Sequence, residues 1–288
     1  GRDHTMARWT IDRPMTQTLD GIVALRVRII GGHVNILPTD DPVTFEITDI
    51  TGEPLVVTQE AGILTIHYED LTSQGLLERL RPVQLNGYKR VQHRKATVNL
   101  RLPKDCPVEV TTVSASIVAA GLNARSQLRT AAGEITLDDT SGETEISTVS
   151  GSTAVRNARG SLKFGSVSGQ LAVAGGRLSS LKAKTVSGQL LADTGIAPAG
   201  RVRLNSVSGE IALRVPADTS ATVELRTATS PVESDFGLER RSAPARTILS
   251  GKIGSGVDPA SITVNSASGR AALLRRAPED PAAIPEGA

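Results

Sequence analysis

The chain is poor in the residue types that build most reactive sites and binding grooves. Its 288 residues include one cysteine and four histidines, and aromatic residues make up 2%. Cys106 therefore cannot form a disulfide within the chain, which fits a reducing compartment. The scarcity of rings argues against a sugar-binding groove and against a platform for stacked bases. No apolar run approaches the roughly 18 residues that a membrane-spanning helix needs.

Charge of neither sign dominates. The sequence has 32 basic and 30 acidic residues, a net charge of +2, and this balance does not imply a polyanionic partner. It contains no nucleophile elbow, no phosphate-binding loop and no paired-histidine motif. We therefore predict that the protein is not an enzyme, and that it has no catalytic, cofactor-binding or metal-ligating residues.

What the chain does have is a recurring motif, Thr/Ser-Val-Ser-Gly. Its valine, replaced by alanine in degenerate copies, falls at positions 113, 131, 149, 167, 186, 207 and 228, so the steps are 18, 18, 18, 19, 21 and 21 residues. The apolar residues around it are almost all Val, Ile, Leu and Ala. A repeat of about 20 residues with this composition is typical of a solenoid built from short stacked strands.

Strand periodicity turns the motif into a template in which the valine is position 0. Apolar residues recur at −5 and −3 and again at 0, +2, +4 and +6, so we expect these positions to face inward. The odd step between −3 and 0 predicts a bulge or corner there. The glycine at +2 then also faces inward, which indicates a bend or a close approach of two backbones. The Thr or Ser at −1 and the Ser at +1 are expected on the outside.

The same template fits three stretches beyond the visible copies, residues 25–36, 55–66 and 262–273. In-phase ladders of like residues are expected of strands stacked in parallel, and they are not required of a β-sandwich, which is the main alternative. The sequence therefore predicts an all-β fold. We expect a single-domain parallel β-solenoid (β-helix or β-roll) of about ten short rungs, with two main strands in each rung.

The predicted solenoid domain spans residues 6–275. We expect residues 1–5 to be a cloning remnant ahead of a native start at Met6, and the Pro- and Ala-rich residues 276–288 to form a disordered tail. Two interruptions are predicted inside the domain, a basic insertion at 71–95 and a loop at 237–247.

The insertion at 71–95 is where a specific function would sit. Its possible partner-binding residues are Arg79, Arg81, Lys89, Arg90, Arg94 and Lys95. Such a cluster suits an acidic partner, although a solvated loop that decorates the rod is the alternative interpretation. We do not expect nucleic acid to bind, because only Tyr88 accompanies these charges.

Three features together resemble the bacterial putative-adhesin β-strand-repeat family, a domain of unknown function. They are the Thr/Ser-Val-Ser-Gly-x-Ile/Leu repeats, Asn99-Leu100-Arg101-Leu102-Pro103 ahead of them, and the Val-Pro segment at 213–221 that leads into Val232-Glu233-Ser234-Asp235-Phe236-Gly237. The resemblance covers about residues 20–275. It implies a right-handed-type β-solenoid with no established activity, and it supplies no catalytic residues.

The leading functional prediction is a non-enzymatic scaffold or protein-interaction module that can also self-associate through a rung end. A cell-surface adhesin-like module is the alternative, and a polysaccharide-acting β-solenoid enzyme is a further one. We expect a protein partner, no small-molecule substrate, no cofactor and no membrane span. The expected localisation is cytoplasmic, or extracellular if a signal was trimmed from the chain.

Overall fold

All regular structure in the described part of the chain is β-strand. The computed structural model describes residues 6–71 and 93–278, and within them it has 24 strands and no helix. Residues 1–5, 72–92 and 279–288 lie outside the described residues. Most strands lie in two ladders of parallel strands, which gives the solenoid-like β-fold that the repeat predicts.

The first ladder carries the template positions that precede the motif. In spatial order its strands are β7 (Ile63–His67), β3 (Ala24–Arg28), β9 (Val108–Thr112), β11 (Ser126–Thr130), β13 (Glu143–Thr148), β15 (Arg159–Ser166), the later part of β16 (Leu171–Thr185), the later part of β17 (Leu190–Ser206), β23 (Ala260–Ser266) and β19 (Ala221–Thr227).

The second ladder carries the positions that follow the motif. In the same spatial direction its strands are β8 (Lys95–Leu102), β4 (Gly31–Pro38), β10 (Ser116–Ala120), β12 (Ile135–Asp138), β14 (Thr153–Arg156), the early parts of β16 and β17, β18 (Ile211–Pro216), β24 (Ala271–Arg276) and β20 (Val232–Ser234).

Aliphatic side chains from both ladders fill the space between them. Val110, Leu128, Ile146 and Phe164 lie in register on neighbouring strands of the first ladder, and all four are buried. Full burial of a side chain of this size stabilises the fold by about 1.5–3 kcal/mol. Each added strand pair therefore buries a similar amount of apolar side chain and contributes a similar increment of stability.

The corner between the ladders lies later in the template than we predicted. Thr148 and Thr185, at −1, are 7% and 6% exposed, whereas Val149 and Val186, at 0, are 52% and 48% exposed. The prediction that the valine faces inward and the threonine outward was therefore wrong. Alternation runs unbroken from −5 to −1, positions 0 and +1 both lie outside, and +2 returns inside.

Hydrogen bonding explains why threonine takes the inner position. The Gly188 N–H donates to Thr185 Oγ1 at 2.9 Å, and the Thr112 hydroxyl donates to the Ala115 carbonyl at 2.9 Å. A valine at −1 could not satisfy these buried backbone groups at the turn. The valine is displaced to the outer edge, where Val149, Val167, Val186 and Val207 form a row that we call the valine ridge.

The inward glycine at +2 marks a close approach of two backbones, as the template predicted. A Cβ on Gly169 would lie 2.3 Å from the Gly151 carbonyl oxygen, and a Cβ on Gly188 would lie 2.1 Å from that of Gly169. The same contact joins Gly209 to Gly188 at 1.9 Å. Since real Cβ atoms do not approach so closely, each of these corners requires glycine to stack on the corner before it.

Antiparallel strands cover the ladder ends. Beyond β7 lie β6 (Leu55–Glu60) and β1 (Ala7–Ile11), and beyond β8 lie β5 (Val43–Thr51) and β2 (Met15–Leu19). At the other end β22 (Arg246–Ile253) pairs with β19, and β21 (Glu239–Ala243) pairs with β22. Of the strands in residues 6–71 and 93–278, none pairs with the outer edge of β20.

Chain order and spatial order differ at both ends. The strands of residues 24–38 lie between those of residues 63–102 and those of residues 108–120. Likewise β23 and β24, the last strands within the described residues, lie between β17–β18 and β19–β20. This strand pair is therefore an inner layer of the stack.

The template matches at 25–36 and 262–273 are confirmed as strand pairs of the two ladders, and the match at 55–66 was wrong. There β6 turns back antiparallel onto β7 through Ala61 and Gly62, whose φ values are 50° and 80°. Two consecutive positive φ values form a tight hairpin turn, so Glu60 precedes a hairpin rather than a corner.

The prediction of a loop at 237–247 also needs correction. This segment contains β21 and the start of β22, joined by a turn at Ala245 with φ 60°. The side chains of β21 are all exposed, so its sequence shows no inward–outward alternation from which a strand could be read.

Replacing an inward glycine should be severely destabilising. We expect Gly169→Ala to lower the free energy of unfolding by about 3 kcal/mol, because its Cβ would overlap a backbone oxygen that cannot move aside. Chemical denaturation measures the change. Gly165→Ala in β15 is the matched control, since its Cβ would have only Lys184 Cε, at 3.9 Å, for a neighbour. Equal effects of the two changes would contradict the close approach.

Strands β23 and β24 should exchange amide hydrogens slowly. We expect peptides from β23 and β24 to be as protected as those from β17 and β18, and more protected than those from β20, because they lie inside the stack. Hydrogen–deuterium exchange with mass spectrometry measures this. Exchange that rises steadily toward the C-terminus would show that these strands form an outer layer instead.

Candidate interaction surface

Five exposed cations stand next to one another on the outer face of the first ladder. They occupy outward positions of three adjacent strands, where the inward positions between them are buried aliphatic residues. We call this set the basic face: Lys163 on β15, Lys182 and Lys184 on β16, and Arg201 and Arg203 on β17.

Strand register brings these cations side by side. Lys163 lies opposite Lys182, and Lys182 lies opposite Arg203, so the three form a row across neighbouring strands. Strands in a sheet are about 4.8 Å apart, which fixes the spacing of the row. Lys184 lies opposite Asn205 in the next row, and Arg201 lies opposite Ser180.

The row is electrostatically unfavourable for the protein alone. Like charges directly opposite each other on adjacent strands are destabilising by up to about 1 kcal/mol per pair. Within residues 6–71 and 93–278, none of the five cations forms an ion pair. A surface that retains this unfavourable repulsion is a candidate for binding an anionic partner.

The carboxylates of this wall lie away from its centre. Glu145 is opposite Lys163 at one margin of the basic face. Farther off, Glu109 pairs with Arg26 at 3.6 Å and with Arg28 at 3.5 Å. The near-zero net charge of the chain therefore hides a local segregation of charge.

The face offers no ring and no deep recess. The three strands β15, β16 and β17 carry one aromatic residue between them, Phe164, which points into the core and is 1% exposed. Bases that stack on aromatic rings would find no platform here. What the surface can provide is charge spread over a plane.

Two of the six sequence-predicted site residues fall in the described part of the chain. Arg94 is buried, and its guanidinium makes two hydrogen bonds to the Asp70 carboxylate, at 2.7 and 2.9 Å. This side-chain hydrogen bonding to Asp70 raises the pKa of Arg94. The same guanidinium lies 5.2 Å from the centre of the Tyr68 ring. Arg94 is thus a structural residue and is withdrawn from the predicted partner-binding set.

Lys95 is exposed and begins β8, so it belongs to the second ladder rather than to an insertion. The other four predicted residues, Arg79, Arg81, Lys89 and Arg90, lie outside the described residues. Neither Arg94 nor Lys95 lies in the basic face.

A cleft of about 540 Å³ lies between the chain segments at 176–177, 195–198, 216–220 and 256–258. Its charged lining includes Arg276, but Nε and Nη2 of that side chain donate to Asp193 at 3.0 and 2.6 Å. Arg214 also binds Asp193, and these two arginines hold the pKa of the Asp193 carboxyl below its usual range. Arg276 is therefore occupied within the protein, and the cleft is a weaker candidate than the basic face.

Reactive side chains are sparse in the described residues. Burial, with a smaller contribution from Asp105, raises the pKa of the Cys106 thiol to about 11, so the residue is a protonated, inert thiol at neutral pH. Residues 6–71 and 93–278 contain no group of three or more His, Cys, Asp or Glu side chains that could hold a metal ion.

Sequence comparison decides the family. The model of the Toastrack DUF4097 family matches residues 32–271, which is most of the chain and includes every copy of the motif. The chain belongs to the Toastrack DUF4097 family. The resemblance drawn from the motif, to a putative-adhesin repeat domain of unknown function, is confirmed.

Solved structures similar to this Toastrack chain are distant. A putative cell adhesion protein from Clostridium sporogenes is 12% identical, with 92% of this chain and 99% of that chain covered and a TM-score of 0.27. A putative lipid binding protein from Parabacteroides distasonis is 13% identical (91% and 97% covered, TM-score 0.29). A putative adhesin from Parabacteroides distasonis is 12% identical (94% and 98% covered, TM-score 0.31). TM-scores this low carry no argument, so the family assignment depends on the sequence match.

No curated protein is detectably similar to the Toastrack chain. As for membrane insertion, its described residues include no helix with the length and apolar character needed to cross a bilayer.

The basic face of this Toastrack protein was not predicted from the sequence, because its cations were grouped with the carboxylates that occupy the same template positions in other copies. Charges of both signs occur at −4 and −2 over the repeats as a whole. The signal that could have found the face is their order: Glu109 and Glu145 come first, and Lys163, Lys182 and Arg203 follow on consecutive copies.

Relieving the charge repulsion should stabilise the protein. We expect Lys182→Glu to raise the free energy of unfolding by about 1 kcal/mol at low salt, because it replaces two like-charge neighbours with two attractive pairs. Lys184→Glu is the control, since Gly165 and Asn205 are its neighbours in register. Thermal unfolding at low and high salt measures both. A neutral or destabilising Lys182→Glu would show that the row carries no repulsion.

Proposed function

We propose that this protein is a non-enzymatic scaffold that binds an anionic partner through the side of its β-stack. In this proposal the chain is one β-solenoid domain of about ten rungs, with two main strands in each rung. The basic face is the binding surface. The single observation that carries the proposal is the in-register row Lys163, Lys182 and Arg203, none of which forms an ion pair among the described residues.

A stacked sheet suits this role because it holds its surface rigid. Each strand of the basic face is paired on both edges, so the cations keep fixed spacings before a partner arrives. A preorganised surface loses less conformational entropy on binding than a mobile loop does. Electrostatic complementarity would then speed association and select anionic partners.

The side of the stack is a better interaction surface than its ends. Strands β1, β2 and β21 lie beyond the parallel ladders, and the β21 edge carries Glu239, Arg240 and Arg241, all exposed. Charged edge strands of this kind oppose strand-to-strand association. The outer edge of β20, with which no described strand pairs, is only three residues long, and very short edge strands are poor templates for pairing. We therefore propose lateral binding in place of self-association through a rung end.

Binding of a soluble polyanion tests this proposal. We expect labelled poly-L-glutamate to bind the wild-type chain with an affinity that falls steeply as salt rises, because the attraction is electrostatic. The triple variant Lys163→Glu, Lys182→Glu, Arg203→Glu should bind at least about tenfold more weakly. Fluorescence anisotropy measures both affinities.

The matched control changes the net charge by the same amount elsewhere. Arg101, Lys104 and Arg246 are exposed, form no ion pair within the described residues, and lie outside the basic face. Reversing these three should weaken binding less than twofold. Equal losses in the two triple variants would show that net charge alone, rather than this face, attracts the polyanion, and would overturn the proposal.

A further inference from the structure

The valine ridge runs along the edge of the basic face. Val167 follows Lys163 by four residues, Val186 follows Lys184 by two, and Val207 follows Arg203 by four, so each rung that carries cations also carries a ridge valine. Consecutive ridge residues stack on one another: Val167 N–H bonds the Val149 carbonyl (3.3 Å) and Val186 N–H the Val167 carbonyl (3.2 Å), while Ser208 N–H, next to Val207, bonds the Val186 carbonyl (2.8 Å). Charge and apolar surface are thus continuous.

The corner geometry explains why position 0 lies outside, but within the described residues no packing contact requires an apolar residue there. Its four valines are 48–52% exposed, while most other valines on these strands and their neighbours are buried. Each is flanked by an exposed serine, so the row stands out as an apolar edge in a polar setting. Burying such an edge against an apolar medium is favourable by about 25 cal/mol per Å².

We propose that the anionic partner is the surface of a lipid bilayer, on which the protein lies side-on. The basic face contacts anionic headgroups, and the valine ridge enters the boundary between headgroups and acyl chains. This inference rests on the proposed function and names its partner class. Interfacial binding of this kind adds apolar burial to electrostatic attraction, and both contributions come from adjacent surfaces of the same rungs.

Planarity favours a bilayer over other anionic partners. The five cations project from one face of a sheet, so all of them can approach a flat surface together. A soluble acidic polymer would use the charges but leave the ridge in water. A single nucleic-acid strand would need stacking rings, and the only aromatic residue on these strands faces the core.

The energetic scale is sufficient for reversible binding. Each Lys or Arg held near an anionic leaflet contributes about 1 kcal/mol, and clusters of about four to eight such residues bind anionic lipids. The basic face supplies five. Without the ridge, the attraction to the bilayer would be purely electrostatic and would be lost at high salt. With it, a part of the affinity should survive at high ionic strength.

Vesicle binding tests the inference with the full chain. We expect co-sedimentation with phosphatidylcholine vesicles that contain phosphatidylglycerol, and none with phosphatidylcholine alone. The triple variant of Lys163, Lys182 and Arg203 to Glu should partition at least about a hundredfold more weakly. Its folding is checked by circular dichroism and thermal unfolding.

A second variant isolates the ridge. Val167→Thr, Val186→Thr, Val207→Thr keeps the β-branched shape, so the fold should persist, and it replaces three methyl groups by hydroxyls. We expect about tenfold weaker partitioning into anionic vesicles with unchanged poly-L-glutamate binding. The control is Val23→Thr, Val118→Thr, Val257→Thr, at valines that are 63%, 41% and 97% exposed, and it should leave vesicle binding unchanged.

The outcomes separate the two proposals. If the protein binds poly-L-glutamate but not anionic vesicles, or if the ridge variant binds vesicles as the wild type does, the bilayer inference is overturned and the anion-binding scaffold stands. If neither the polymer nor the vesicles bind, both proposals fail.

Discussion

The close approach of one backbone to the next at the glycine corner is the constraint on which the stack depends. Each turn lies so close to the carbonyl of the turn before it that no side chain would fit between them, and the residues at this contact are Gly151, Gly169, Gly188 and Gly209. That contact sets the spacing of the corner to the spacing of the strands. The two ladders can then stay in register over many rungs, and the inner Thr or Ser hydroxyls tie each bend to its own strand.

Strict register is favourable in the core and unfavourable at the surface. Where inward residues repeat, similar apolar side chains pack on one another and the core is dense. Where outward residues repeat, like charges come together, as Lys163, Lys182 and Arg203 do. A fold with looser pairing could let such side chains fan apart. Here the sheet fixes the Cα positions of these side chains. The surface therefore has a local positive charge density that the net charge of the chain, which is close to zero, does not reveal.

Much of this architecture could be predicted from sequence, because inward aliphatic residues and glycines recur with a period that only stacked strands satisfy. The corner was misplaced because hydrophobicity ranks Val186 above Thr185, whereas the buried Gly188 N–H needs the threonine oxygen. Whether a buried N–H needs a side-chain acceptor depends on the geometry of the turn, and the hydrophobic periodicity of the sequence does not indicate it. The partner-binding residues were sought where the pattern fails, near Arg94, yet that side chain is used to hold Asp70. The surface cations were instead part of the pattern.

The order of the rungs could not be predicted, because every rung follows the same template and the template does not specify its neighbours. This order also limits how the protein can change in evolution. In a simple stack, a duplicated segment at either end of the gene adds a rung at an end of the rod. Here β23 and β24 are enclosed by earlier strands, and residues 24–38 are enclosed by later ones. A new rung can enter without disturbing either closure only in the middle, where chain order and spatial order agree. The rod can therefore lengthen from its centre, while both ends are inherited unchanged.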